Sequence, residues 1–373
     1  MKFKPFDLEY SQSVWEQEVD FNLTESGVHP ISLRELIGDN ESLLENLLET
    51  EINYPHVNGI PQLRTLIASL YNNASIENVL VTIGAAEANQ IVMQTMLEPG
   101  TQIASLNPTY KQVWGIAENH GHEVKSFSLS PDNAWSLNID ELNESVNGNT
   151  RIIALVNPNN PTGKILTSDE MDAIVNAADK VGAWILADEV YRGAEREQEE
   201  ETESFFGRYD KVIAIGSMSK AYGLPGLRIG WVVAPPDTVD SIWRRHEYTT
   251  IAATTLSNHL AAYALSPEVR PRLINRARNY IRNGFPVLQG WLDSQKELFT
   301  YTPPQASAVS FIKYNLEINS TELMLKLIKE ASVFIGAGDS FGMDKHIRIA
   351  FGQEKEVLEE AFRRIQRALE SLS

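Results

Sequence analysis

The feature of this chain that most constrains its fold is an alternation of short apolar runs with longer helical patterns, which begins at residue 79. Several of the runs are rich in Val and Ile and are bounded by Gly, Pro or Asn, which is typical of strands buried on both faces. We predict seven strands, at residues 79–83, 103–106, 124–129, 152–156, 183–187, 212–215 and 229–234. The pattern predicts an α/β fold in which helices cover both faces of a mainly parallel seven-stranded sheet.

The pattern changes after about residue 265, and a length of 373 residues favours two domains. A long amphipathic helix through Leu288 precedes a mixture of elements, predicted as a strand at 308–314, a helix at 321–331, strands near 333–335 and 346–350, and a helix at 354–372. Such a mixture is typical of a smaller α+β domain. We therefore predict a large domain over 46–264, a small domain over 265–373, and an N-terminal segment, 1–45, that packs on the small domain.

Composition argues against several classes of function. The formal net charge of −18 disfavours nucleic acid as a partner, because a phosphate backbone would be repelled. The chain has no cysteine, which removes disulfides and Cys-ligated metals, and we predict no metal site. No apolar run approaches the roughly 20 residues of a membrane span, so no membrane partner is expected. The first residues contain no apolar signal-peptide core, so a cytoplasmic location is expected.

Two charged segments are interpreted as solvent-exposed. The first is a set of five arginines on one face of the predicted long helix: Arg270, Arg272, Arg276, Arg278 and Arg282. The second is the acidic run at 195–203, which is interpreted as a solvated loop.

Polar residues follow directly after the predicted strands, where open α/β sheets bind their ligands. Lys220 lies among hydroxyls and glycines after the strand at 212–215, and Arg228 comes eight residues later. An amine in such a loop can form a Schiff base with a carbonyl compound, and hydroxyls beside a guanidinium suit a phosphate. A lysine in a Gly/Ser loop is otherwise more often a surface residue.

Other strand ends carry further candidates. Asp188 can cap a helix or, opposite a pyridine ring, keep the ring nitrogen protonated, and Tyr191 can donate its phenol to the same ring. The run Asn-Pro-Asn-Asn-Pro-Thr-Gly at 157–163 is a turn or supplies a fixed amide donor. The small residues at 84–88 open a helix whose backbone N–H groups can reach a phosphate. Tyr110 is a core residue or a ring that stacks on a flat cofactor.

These segments, in this order, resemble the fold type I pyridoxal-phosphate enzymes of the class I/II aminotransferase group. The resemblance runs from about Tyr54 to the end of the chain and is most specific around 157–163, 188–191 and 217–228. It implies an enzyme of amino acid metabolism that holds pyridoxal 5'-phosphate as a Schiff base on Lys220.

The resemblance also implies a role for each matched residue. The catalytic residues are Lys220, Asp188, which would contact the pyridine nitrogen, and Tyr191, which would hydrogen-bond the ring oxygen. These three residues also bind the cofactor, together with Ala85, Ala86, Tyr110, Asn160, Ser217, Ser219, Arg228 and Tyr54. The resemblance implies a homodimer with shared active sites, in which Tyr54 comes from the second subunit. The substrate is bound by Asn160, Gly27 and Arg348. Of these, Arg348 would bind the α-carboxylate; the alternative interpretation is that Arg348 is a surface residue. Many relatives carry a hydroxyl or amide in place of Ala85 or Ala86, so phosphate binding would depend more on backbone N–H groups.

Two reactions are compatible with these residues. Transamination between an α-amino acid and a 2-oxo acid is favoured, because it is the commonest reaction of the group. The alternative is elimination or cyclisation of an arginine-like amino acid. The residues at 26–29, 192–193 and 247–251 are similar to the branch that contains capreomycidine synthase, an enzyme that cyclises a hydroxylated arginine. Glu25 and His29 are candidates to bind a cationic side chain, or else exposed turn residues.

Overall fold

The computed structural model describes residues 3–370. Its strands are β1 (Phe21–Asn22), β2 (Val79–Thr82), β3 (Gln102–Asn107), β4 (Glu123–Ser130), β5 (Ser136–Leu137), β6 (Thr150–Val156), β7 (Trp184–Asp188), β8 (Val212–Ser217), β9 (Gly230–Val233), β10 (Phe299–Tyr301), β11 (Val309–Tyr314), β12 (Val333–Phe334), β13 (Gly336–Ala337) and β14 (His346–Ala350). Its helices are α1 (Asp7–Trp15), α2 (Leu33–Ile37), α3 (Glu41–Leu48), α4 (Pro61–Ala68), α5 (Gly84–Met96), α6 (Gln112–Asn119), α7 (Ile139–Ser145), α8 (Ser168–Val181), α9 (Pro236–His246), α10 (Thr255–Ala264), α11 (Arg270–Asp293), α12 (Ser320–Ala331) and α13 (Lys355–Glu370). None of the helices within residues 3–370 has both the length and the apolarity to cross a bilayer.

The largest sheet has eight strands in the order β2-β9-β8-β7-β6-β3-β4-β5. Strands β4, β3, β6, β7 and β8 are parallel neighbours, whereas β9 pairs antiparallel with both β8 and β2. The predicted α/β fold with a mainly parallel sheet is therefore confirmed. Within this sheet, the strand that was not predicted is β5, which pairs antiparallel with β4 at the sheet edge. Two residues are too few to show the alternation by which a strand is recognised in a sequence.

Alternate residues of the central strands face opposite helical layers. In β6, Ile152 and Ala154 belong to a buried cluster with residues of α5, α6 and α9. Ile153 and Leu155 belong to a second cluster with residues of α7 and α8. Burial on both faces explains why these strands read as continuous apolar runs. The parallel strands end at one edge of the sheet, and the polar segments predicted from the sequence meet there.

The C-terminal part contains a smaller antiparallel sheet in the order β10-β11-β14-β13. The predicted final helix corresponds to α13, and the predicted extension to Leu372 lies outside the described residues. In the N-terminal segment, β1 pairs in parallel with β12 of the C-terminal part. Helix α1 lies against the beginning of α6, where Lys111 bonds Asp7, and Leu8 packs in a cluster that includes Phe311 and Phe341 of the C-terminal part. The domain limits at 45/46 and 264/265 stay predictions.

The interpretation of the five α11 arginines as solvated surface is wrong for Arg278, whereas Arg272 is exposed. Arg278 is 4% exposed, and its Nη2 lies 2.7 Å from Oε2 of Glu195, which is fully buried. Arg270 and Arg282 form ion pairs with Glu201 and Glu199 of the same acidic run. The run is therefore only partly solvated. The helix packs on a loop about 80 residues earlier in the chain, a contact that helical periodicity cannot reveal.

Candidate active site

A cavity of about 320 Å³ opens at the carboxyl ends of β6, β7 and β8. This volume is at the lower end of the range for small-molecule sites. Its wall contains most of the predicted site residues: Ala85, Ala86, Tyr110, Asn160, Asp188, Tyr191, Ser217, Ser219, Lys220, Arg228 and Arg348. It also contains Glu25, a candidate from the sequence, and a group from the N-terminal segment that was not predicted: Leu8, Glu9, Gln12, Ser13, Glu16 and Ser26.

Lys220 lies in the loop after β8, and its amine is held by Glu25. The Nζ donates a 2.7 Å hydrogen bond to Oε1 of Glu25. Burial, the largest single effect, acts to lower the pKa of Lys220, but the charge and hydrogen bond of Glu25, together with Tyr191 and Glu9, outweigh it and raise the pKa above its ordinary value. The same attraction lowers the pKa of Glu25 to about 2. Gly27 packs against this pair, since a Cβ there would lie 3.7 Å from Cδ of Lys220 and 3.2 Å from the Ser219 carbonyl oxygen.

Asp188 is the last residue of β7, and its carboxylate is buried. The side-chain amide of Asn89 donates a 3.0 Å hydrogen bond to Oδ2, and the Val190 N–H donates one of 3.3 Å to Oδ1. Burial raises the pKa of Asp188 to about 6, against the effect of these two bonds. A cation placed against this carboxylate would offset the cost of its burial. The site therefore suits a protonated ring nitrogen.

Tyr191, Asn160 and Arg348 form the next part of the wall. The Tyr191 hydroxyl donates a 2.8 Å hydrogen bond to Oγ of Ser26, and burial raises its pKa. Arg348 is 1% exposed; its Nη1 donates to Oδ1 of Asn160 at 2.9 Å and its Nη2 to the Thr24 carbonyl at 2.6 Å. Its Nε, although buried, has no partner among residues 3–370. The surface interpretation of Arg348 is therefore wrong, and its guanidinium retains a donor for an anion.

The expected phosphate site lies where α5 begins. Ala85 and Ala86 are in the first turn of this 13-residue helix, whose free N–H groups and dipole favour an anion. Arg228 lies across this turn, because a Cβ on Gly84 would come within 2.4 Å of its Nη2. Gly84 has φ +72°, and only glycine adopts that conformation without strain. The expected phosphate site also includes Ser217, whose Oγ accepts a 2.8 Å hydrogen bond from the Ser219 N–H.

The two other predicted tyrosines, Tyr110 and Tyr54, differ in position. Tyr110 lines the cavity, and its hydroxyl donates a 2.6 Å hydrogen bond to Oε1 of Glu9. Tyr54 is 79% exposed and does not line the cavity of its own chain. The structure therefore brings Tyr110 to the site and leaves Tyr54 on the surface.

Sequence reasoning missed three supporting contacts. Asn89 was detectable, because it is a polar residue on the buried face of α5 that includes Val92 and Met96. The pairing of Ser26 with Tyr191 had no local signal, since 165 positions separate them. The same is true of Glu25 and Lys220, which are 195 positions apart.

The donor set fits one kind of cofactor. It combines an amine, a buried carboxylate, a phenol, an amide and an anion site at a helix N-terminus, which suit an aldehyde, a ring nitrogen, ring oxygens and a phosphate. Fold and site together define an enzyme that holds a phosphorylated pyridine aldehyde.

The chain belongs to the aminotransferase class I and II family, whose sequence model matches residues 33–365. Its cofactor is pyridoxal 5'-phosphate. The chain is similar to a PLP-dependent aminotransferase from Streptococcus suis 89-1591, with 30% identity and a TM-score of 0.94 over 100% of this chain and 99% of the other. It is 25% identical to capreomycidine synthase from Streptomyces vinaceus over 93% of this chain and 89% of that protein. It is 26% identical to a probable aspartate aminotransferase from Methanocaldococcus jannaschii over 86% of each.

Proposed function

We propose that the protein is an aminotransferase that moves an amino group between an α-amino acid and a 2-oxo acid. The observation that carries the proposal is one cavity that combines the Lys220 amine, the buried Asp188 carboxylate and a free donor on Arg348. Bound pyridoxal phosphate withdraws electrons from the α-carbon of an attached amino acid. The similarity of this chain to a PLP-dependent aminotransferase, at 30% identity over its whole length, supports this reaction.

The chain's own residues bind the substrate and move the proton. Arg348 orients the α-carboxylate with its free Nε, while its two other nitrogens remain fixed by Asn160 and Thr24. Lys220 Nζ accepts the α-proton and returns it, because its amine lies in the cavity wall. Asp188 favours a proton on the ring nitrogen.

A second candidate is elimination or cyclisation of an arginine-like amino acid. It is supported by the 25% identity with capreomycidine synthase, which spans nearly the whole of both chains. It is also supported by the position of Glu25, which was considered from the sequence as a binder of a cationic side chain and which lines the cavity.

A single-turnover experiment separates the two reactions. Purified holoenzyme is mixed with one amino acid and no oxo acid, and cofactor absorbance and products are followed. Transamination predicts one equivalent of 2-oxo acid per site and an aminated cofactor. Repeated turnover without loss of the original absorbance band would contradict transamination and support elimination or cyclisation.

The assignment of Lys220 is tested by borohydride reduction, which fixes a Schiff base to the protein. We expect the wild-type chain to retain the cofactor after denaturation and Lys220→Ala to lose all covalent label. Lys211→Ala is the matched control, because Lys211 bonds the Gly182 carbonyl and does not line the cavity. Stable labelling of Lys220→Ala would refute the assignment.

We further propose a cytoplasmic homodimer in which Tyr54 reaches the phosphate of the partner's site. The exposure of Tyr54 (79%) and Ile52 (81%) on one loop supports a partner surface there. Tyr54→Phe should weaken cofactor binding without altering the sedimentation coefficient. Sedimentation as a monomer at assay concentration would overturn the dimer.

A further inference from the structure

One wall of the cavity is formed by helix α1 and the residue that follows it. Glu9, Gln12, Ser13 and Glu16 are spaced by three, four and seven positions, so they lie on one face of a helix. Gln12 is fixed by a 3.0 Å hydrogen bond from its amide to Oγ1 of Thr24. Thr24 also accepts the hydrogen bond of Arg348, so this wall is tied to the proposed carboxylate site.

The charges that line the cavity do not balance within the protein. The carboxylates are Glu9, Glu16, Glu25 and Asp188, and the cations are Lys220, Arg228 and Arg348. With the proposed cofactor and substrate bound, Arg228 would pair with the phosphate, Arg348 with the α-carboxylate and Asp188 with the ring nitrogen. Glu25 pairs with Lys220.

Two carboxylates form no ion pair within residues 3–370, and both belong to the α1 wall, although the charge of Glu9 also acts on Lys220 and Arg348 at longer range. Glu9 accepts only the neutral Tyr110 hydroxyl. The carboxylate of Glu16 has neither an ion pair nor a hydrogen bond within residues 3–370, and only its backbone N–H is bonded, to the Gln12 carbonyl. The α1 wall is therefore a negatively charged surface that faces the ligand.

A second observation points to a ligand in the cavity that this surface lines. Arg348 is 1% exposed, lines the same cavity and has a buried Nε without a partner in the described chain. A ligand with a carboxylate would satisfy that donor at one end. The carboxylates of Glu9 and Glu16 are then available to bind the rest of the ligand.

We propose that the substrate is an α-amino acid whose side chain ends in a cation, an ammonium or a guanidinium, which Glu9 and Glu16 bind. The inference rests on the proposed function and names its substrate class, for transamination and cyclisation alike. An acidic side chain would be repelled by the α1 wall, and a neutral one would gain no ion pair.

The test compares amino acids that differ mainly in the charge of the side chain. Arginine, lysine, norleucine and glutamate are titrated into holoenzyme, with affinity read by calorimetry and by cofactor absorbance. Two partly exposed ion pairs together are worth on the order of tenfold in affinity. We expect arginine or lysine to bind about tenfold more tightly than norleucine, glutamate to bind least, and the preference to shrink with added salt.

Variants assign the preference to the α1 wall. Glu16→Gln should reduce the preference for a cation roughly threefold, and Glu16→Lys should reverse it towards glutamate. Glu18→Gln is the matched control: it removes the same charge from an exposed residue two positions away that does not line the cavity.

The two possible failures are distinguishable. Norleucine binding as tightly as arginine and lysine, or a preference unchanged in both Glu16 variants, overturns the inference and leaves the proposed function intact. If no amino acid alters cofactor absorbance, the proposed function fails and the inference fails with it.

Discussion

The buried carboxylate of Asp188 has a measurable effect on the stability of the cofactor-free protein. The side chain is 4% exposed, and burial raises its pKa from 3.8 to about 6. A rise of that size corresponds to about 3 kcal/mol of unfolding free energy. Below pH 3.8 the carboxyl is protonated in both the folded and the unfolded chain, and burial costs no ionisation energy. Above about pH 6 it is ionised in both, and the full destabilisation is present.

Asp188→Asn removes this ionisation. Relative to the wild type, the unfolding free energy of the cofactor-free variant should increase by about 2 kcal/mol between pH 4.5 and pH 8. Any constant cost of the amide, such as an N–H without an acceptor, cancels between the two pH values. Urea unfolding of both proteins at both pH values measures the difference. Asp210→Asn, at an exposed carboxylate, is the control.

The cofactor should reverse the effect of the variant. A protonated ring nitrogen pairs with the carboxylate of Asp188 and cannot pair with an amide, so the variant should bind pyridoxal phosphate more weakly at pH 8. Its holoenzyme should then be less stabilised by excess cofactor. A variant effect that is the same at pH 4.5 and 8 in the cofactor-free protein would refute the reasoning.

Two further predictions concern packing and charge elsewhere. In Gly230→Ala the new Cβ would lie 2.4 Å from the backbone that begins α5, so we expect a loss of about 1–3 kcal/mol and weaker phosphate binding, whereas Gly226→Ala, with open space around it, should change neither. Urea unfolding and cofactor titration measure both effects, and equal behaviour of the two variants would contradict the packing argument. Arg278→Met leaves Glu195 buried and without its cation, so urea unfolding should show a loss of about 3–5 kcal/mol. Arg244→Met, at a 77% exposed side chain, should cost less than about 1 kcal/mol, and a similar cost for both would refute the prediction.

The central sheet was predictable from the sequence because its strands are buried on both faces. Such strands require apolar residues at every position, so the runs at 152–156 and 212–215 stand out without any alignment. The rule that ligands bind beyond the carboxyl ends of strands then brought Asp188 and Lys220 to one edge. Strand β5 could not be predicted, because its two residues have no periodicity.

Contacts between distant segments were not predictable in the same way. The arginines of α11 have the spacing of an exposed helix face, and nothing local indicates that Glu195 lies beneath Arg278. Helix α1 belongs to the N-terminal segment, which was expected to pack on the small domain, and it also forms a wall of the cavity. The partner of Lys220 is likewise set by chain topology and not by the sequence around it.

The pairing of β1 with β12 sets the order in which the site can be completed during protein synthesis. Asn22 pairs with Phe334, and the Thr24 carbonyl accepts the hydrogen bond of Arg348, 324 positions away. The ribosome releases the chain from its N-terminus at roughly 5–20 residues per second. The N-terminal segment, whose Glu25 bonds Lys220, therefore leaves the ribosome first. Phe334 and Arg348, which hold that segment in place, leave among the last residues. The nascent chain can form the large sheet early, but the substrate side of the cavity must wait until translation is nearly finished.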